Sequence, residues 1–167
     1  MAAALVPLQN ITLSTATASV TFGSIPATMR DLVLICHGRS NRSATTDIYK
    51  MLINGSTTGY SRVVAYGTGS SASSYSDASL SDLRPYALTG ASATSGVYGF
   101  VKTQIMDYSA TDKHKTILNN EDATGAELSM SAYRWANTAA VTSISIAPLL
   151  GTTLSAGSTF ALYGVVA

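Results

Sequence analysis

The sequence predicts an all-β chain, a two-sheet antiparallel β-sandwich with jelly-roll topology, and three observations carry that expectation. Apolar residues recur at a period of two through one segment after another, as in strands with one face inward. Gly, Pro, Asn and Ser clusters break these segments into about nine or ten short pieces, the spacing of a sandwich and not of a helical bundle. A chain of 167 residues buries roughly 70% of its unfolded surface as one domain, and its single cysteine, Cys36, rules out an intramolecular disulfide framework.

Residues 1–8 read as an N-terminal arm and residues 9–167 as a single sandwich domain. Residues 9–13 and 17–22 alternate, with Ala18, Val20 and Phe22 opposite in parity to Thr17, Ser19 and Thr21. Pro26 ends this stretch, because proline lacks the amide a central ladder needs. Residues 31–37 are apolar on both parities, which predicts a strand covered on both faces near the centre of a sheet. A polar turn carrying Arg39 and Arg42 follows.

Residues 48–53 run into Asn54-Gly55, a pair that favours the positive dihedrals of a tight hairpin. Residues 60–66 form the next strand. Residues 67–76 are almost entirely Gly, Ser and Ala, which predicts an exposed, mobile connection with little to bury. Residues 80–88 fit either a short helical pattern, through Leu80, Leu83, Tyr86 and Leu88, or a strand ended by Pro85. Residues 90–96 are a second small-residue loop, and residues 97–108 the longest strand candidate, covered on both faces.

A charged turn over 111–115 precedes a short strand at 116–119 and a turn at 120–125. In residues 127–135, Leu128, Met130 and Ala132 alternate with Ser129, Ser131, Tyr133 and Trp135. The chain closes with an expected hairpin of 141–147 and 159–166. No repeat of solenoid or propeller period is present.

Charge is the most unusual global feature. Only 11% of residues are charged, against 46% hydrophobic, and the net charge is +1, whereas a soluble domain ordinarily carries about 25% charged residues. A surface of Ser, Thr, Asn, Gly and Ala gives little protection against association. The expectation is that copies of the chain or another protein cover much of it. Scattered, balanced Lys and Arg disfavour nucleic acid as a partner. No apolar run approaches the ~18 residues of a membrane span, and residues 1–7 lack the basic start of a signal peptide, so no membrane or secretion is expected.

No catalytic, cofactor or metal motif stands out. Cys36 and His37 are neighbours on a strand and point to opposite faces, so they do not close on one ion. His114 lies between two lysines in a turn, which suits a solvated histidine. Asp107, Asp112, Glu121, Asp122 and Glu127 are the nearest approach to an acidic cluster. They lack the alternation of a calcium loop, although Glu121, Asp122 and Glu127 are the residues an enzymatic reading would need. Gly67-Thr68-Gly69 has no following Lys-Ser/Thr and is not a phosphate loop. The sequons at Asn10, Asn41 and Asn54 read as chance matches.

Tyrosine is abundant, nine residues against three Phe and one Trp. Tyr133 and Trp135, two apart on one strand, share a face and are the favoured aromatic contact pair; the alternative is a core with hydroxyls reaching its edge. Tyr133, Trp135, Arg39 and Arg42 are therefore the candidate interface residues.

The run Ile11-Thr12-Leu13 through Ala18-Ser19-Val20-Thr21-Phe22, then Ser24-Ile25-Pro26-Ala27-Thr28 and Asp31-Leu32-Val33-Leu34, resembles the opening of small β-sandwich virion structural proteins of tailed bacteriophages. Ile144-Ser145-Ile146 with Gly157-Ser158-Thr159-Phe160-Ala161-Leu162-Tyr163-Gly164 is similar to their closing hairpin. The resemblance implies a structural role without enzymatic activity and a homotrimer. It covers both capsid decoration or cement proteins, partnered with the major capsid protein, and tail-fibre components that meet host glycans. With a few residues read ahead of the sandwich and no heptad pattern, the expectation is the capsid surface of the virion, after synthesis in the host cytoplasm, and not a shaft-borne fibre tip.

Overall fold

In the computed structural model, which describes residues 4–122 and 127–166, every regular element is a strand. In chain order these are β1 (Leu5–Thr12), β2 (Val20–Phe22), β3 (Asp31–Gly38), β4 (Thr46–Asp47), β5 (Tyr49–Ile53), β6 (Tyr60–Gly67) and β7 (Ala72–Leu80). They continue with β8 (Leu88–Thr89), β9 (Gly99–Ile105), β10 (Lys115–Asp122), β11 (Leu128–Trp135), β12 (Ile144–Pro148) and β13 (Thr159–Val165). Eight of them form one sheet in the order β1-β13-β3-β9-β10-β11-β6-β7. A three-stranded sheet, β2-β12-β5, and the small pair β4-β8 complete the chain. All the strand pairs are antiparallel.

The two layers meet in one apolar cluster. Phe22, Met51, Ile53, Ile144 and Ile146 come from the three-stranded sheet, and Leu32, Leu34, Val101, Ile105, Ile117, Phe160 and Leu162 from the large one. β3 is flanked by β13 and β9 and buried on both parities from Asp31 to Leu34, as its apolar run predicts. Cys36 is buried and His37 exposed, the opposite facing expected of strand neighbours. Gly99 lets the β8 segment approach closely: a Cβ there would lie 2.0 Å from the Ala87 carbonyl oxygen.

Several expectations are corrected. The closing hairpin does not form: β12 belongs to the small sheet and β13 to the large one, so residues 149–158 cross between layers. Asn54 and Gly55 take positive φ values of 52° and 68°, and the Ser56 amide donates to the Ile53 carbonyl at 2.9 Å. That tight turn joins β5 of one sheet to β6 of the other and is not a hairpin. The Asn54 side chain instead ties down residues 140–143, its Oδ1 accepting from the Thr142 and Ser143 amides and its Nδ2 donating to the Ala140 carbonyl at 2.7 Å.

Residues 72–76, the second half of the expected mobile connection at 67–76, belong to β7 (Ala72–Leu80) at the edge of the large sheet. Ser and Ala bury almost nothing there, and backbone pairing with β6 holds the strand. Residues 80–88 are neither a helix nor a long strand: Leu83 makes a bridge with Met51, and only Leu88 and Thr89 continue as β8. β10 begins at Lys115, earlier than expected, and reaches Asp122. The expected arm does not end at residue 8, because Leu5 is already in β1. Residues 1–3 of the arm and 123–125 of the expected turn lie outside the described residues.

Candidate functional site

β11 decides how the large sheet presents itself. Its burial alternates strictly: Ser129, Ser131, Tyr133 and Trp135 face inward, and Leu128, Met130, Ala132 and Arg134 face outward. A period of two allows only one of these parities inside. Tyr and Trp bury about 150–250 Å² each, more than Leu and Met recover, and the serines on the same parity have a partner within. The Ser129 hydroxyl donates to Glu121 Oε2 at 3.1 Å, the Tyr86 amide donates to the same oxygen at 2.7 Å, and the Ser131 hydroxyl donates to Oε1.

Register carries the same choice across neighbouring strands. Leu118 pairs with Gln104 on one side and Ala132 on the other, and Ala132 with Val63, so Gln104, Leu118, Ala132 and Val63 make one outer row. Lys102, Asn120, Met130 and Ala65 make the next. The small side chains Ala132 and Ala65 sit beside Leu118, Val63 and Met130, and a groove of about 450 Å³ is lined by Val63, Ala65, Leu118, Met130 and Ala132. Val63 is 58% exposed, Leu118 42%, Leu128 64% and Met130 59%. Exposed apolar patches of this kind are the ones that ligands, membranes or other proteins cover. Among the described residues, Lys102 is the only charged side chain lining the groove.

The candidate interface residues are placed elsewhere. Tyr133 and Trp135 share a face, as parity predicts, but it is the inner one, at 2% and 1% exposure. Trp135 stacks on Tyr60 with ring centroids 6.3 Å apart. The Tyr133 hydroxyl accepts from Arg62 Nη1 and from the Arg84 amide, each at 3.2 Å, and burial, with Glu121 nearby, pushes its pKa up to about 12. Both aromatics are core, not contact, residues. Arg39 donates to four carbonyls of its own chain, those of Ala91, Ala93, Thr94 and Val97. It clamps the second small-residue loop. Arg42 donates to the Thr46 carbonyl at 2.9 Å.

Among the acidic residues, Glu121 and Glu127 lie near enough for Glu121 to raise the Glu127 pKa, after burial. Glu121 is buried and fully engaged by its three donors, while Asp107 meets Lys113 at 3.3 Å. No group of three or more His, Cys, Asp or Glu fit to hold a metal ion occurs among the described residues. Lys115, expected in a solvated turn, is buried, and its Nζ donates to the carbonyls of Ala110, Lys113 and Thr138. Among the described residues no helix is long and apolar enough to cross a membrane.

A smaller concavity, about 210 Å³, lies on the inner side near β7, where Tyr66, Tyr75 and Tyr86 surround Val64, Glu127 and Ser129. Tyr66 and Tyr75 meet edge to face at 6.2 Å, and the Arg62 guanidinium lies 5.1 Å from the Tyr75 ring centre. Alternation made Leu128, Met130 and Ala132 visible as one parity. It held no sign of which parity faces out.

No family model matches the chain, and no curated protein matches it. Among solved structures, a crystal structure of a protein of unknown function from Shewanella oneidensis MR-1 aligns over 97% of this chain and 75% of its own, at 12% identity and a TM-score of 0.22.

Proposed function

We propose that this chain is a structural protein of a tailed-phage virion, a jelly-roll-like capsid cement or decoration protein that binds and stabilises the major capsid protein lattice as a homotrimer. The outer faces of β6, β11 and β10 are its association surface, and the chain acts by covering, not by turnover. The observation that supports this reading is the apolar groove bounded by Val63, Leu118 and Met130, with Lys102 as its one charged lining residue among the described residues. Burial of such a face against identical copies and a lattice adds many weak contacts as avidity. It requires no catalytic group, no cofactor and no membrane. Residence on the capsid surface, after synthesis in the host cytoplasm, belongs to the same proposal.

The test is immunogold labelling of this chain on intact particles. Signal distributed over the shell is the expected result, and signal confined to the tail overturns the reading. The concavity of Tyr66, Tyr75 and Tyr86 beside Glu127 favours a second reading, a tail-fibre or receptor-binding module for host surface glycans, since aromatic faces and a carboxylate suit a polyhydroxylated ring. Glycan-array binding that disappears in Tyr75→Ala would move the assignment to that reading.

A further inference from the structure

We propose that the free edge of β7 pairs with β7 of a second copy, antiparallel about a two-fold axis, so that two eight-stranded sheets continue as one. The two ends of the large sheet are built differently. At the β1 end the edge is guarded: Pro7 offers no amide, and the register shifts between Pro7 and Gln9. Both devices blunt edge pairing. At the β7 end, a nine-residue strand from Ala72 to Leu80 contains no Pro and no Lys, and its own register shift, with Ser79 at a φ of 59°, is confined to residues 78–79 beyond the regular stretch. It pairs with β6 on one side only and is the last strand of the sheet among the described residues.

Its register against β6 is unbroken from Ala72 opposite Gly67 to Asp77 opposite Arg62, so the outer row of amides and carbonyls is regular. Such a row is a template for another strand. All its side chains but Asp77 and Leu80 are exposed; burial does not explain why this segment is ordered as a strand.

The strand is complementary to itself. Antiparallel pairing centred on Tyr75 sets Ser74 against Ser76 and Ser73 against Asp77, within the regular part of the strand. No like charges meet, since Asp77, the one charge, faces a serine hydroxyl able to donate to it, and it is already held by Arg62 at 2.7 Å. The small side chains leave the edge open to close approach, and the two Tyr75 rings form a cross-strand aromatic pair. The two apolar grooves then lie on the same side of one continuous sheet. This contact is independent of the three-fold association proposed above. It produces even-numbered assemblies: dimers by itself, hexamers together with a three-fold contact.

The experiment is native mass spectrometry of the full chain beside a Ser74→Lys/Ser76→Lys variant and a Ser74→Glu/Ser76→Glu variant. These exposed positions leave the β6 ladder intact, which circular dichroism verifies. In the two-fold pair each Lys faces a Lys, and two like-charged oppositions weaken the contact roughly tenfold or more. Even-numbered wild-type assemblies that fall apart in the Lys variant, and return when the Lys and Glu variants are mixed, are the expected result. Wild-type monomers or trimers, or even-numbered assemblies indifferent to the Lys substitutions, overturn the inference. Wild-type trimers leave the three-fold reading standing; β7 dimers without hexamers remove that reading and keep this one.

Discussion

Between two serines of β11 and the backbone of Tyr86, Glu121 meets three donors, and this makes a carboxylate tolerable in the interior. A buried charge is costly unless its oxygens are fully hydrogen-bonded. Glu121→Ala strands the Tyr86 amide and the Ser129 and Ser131 hydroxyls together, so urea denaturation is expected to show a loss of about 3 kcal/mol or more. Glu121→Gln keeps one acceptor oxygen and should lose less. Glu127 is the contrasting case. Burial first, and Glu121 second, raise its pKa above the ordinary glutamate range. A carboxyl raised on folding favours the protonated fold: its stabilisation is fully present below the unfolded pKa and is lost as pH rises through the folded value. Thermal midpoints of Glu127→Gln should therefore fall less than wild type between about pH 4 and neutrality. A variant curve parallel to wild type would contradict that assignment.

At the level of strands, β11 sets two faces of unlike chemistry on consecutive residues. Tyr133→Ala opens the core and is expected to cost about 3–5 kcal/mol, whereas Met130→Ser, on the outer face, should stay within about 0.5 kcal/mol. Equal losses in denaturant unfolding would refute the assigned parity. The sequence shows the alternation of residues 128–135, and with it the strand, because side-chain period is local. It does not show that Ser129 and Ser131 face inward, because their reason is Glu121 on the neighbouring strand and Tyr86 on a loop far along the chain. β7 was illegible for a related cause. Ser and Ala carry no periodic hydrophobic signal, and the strand exists through backbone pairing with β6. The turn at Asn54 and Gly55 was legible in its dihedrals but not in its role, since the sheet assignment of β5 and β6 depends on partners distant in sequence.

For the molecule as a whole, composition and structure meet at the surface. The low charge of the chain predicts covered area, and the outer rows of the large sheet expose apolar side chains at Val63, Leu118, Leu128 and Met130, the face proposed above for association. The aromatic pair expected to make contacts is instead in the core, and Arg39 and Arg42, the other candidate interface residues, donate to carbonyls of their own chain. The sequence leads only to the expectation of an uncharged association surface, while the place proposed for it comes from the register of β9, β10, β11 and β6. An apolar contact is little screened by salt, so assembly should hold from low to high ionic strength. Sedimentation velocity of the wild-type chain and of Leu118→Glu/Met130→Glu, at low and high salt, is the direct measurement. The expected result is a salt-insensitive trimer or hexamer for wild type and loss of the three-fold contact, with the fold intact, in the variant. A wild-type monomer, or a variant that sediments as wild type does, would contradict the outer sheet face as the surface through which this protein associates.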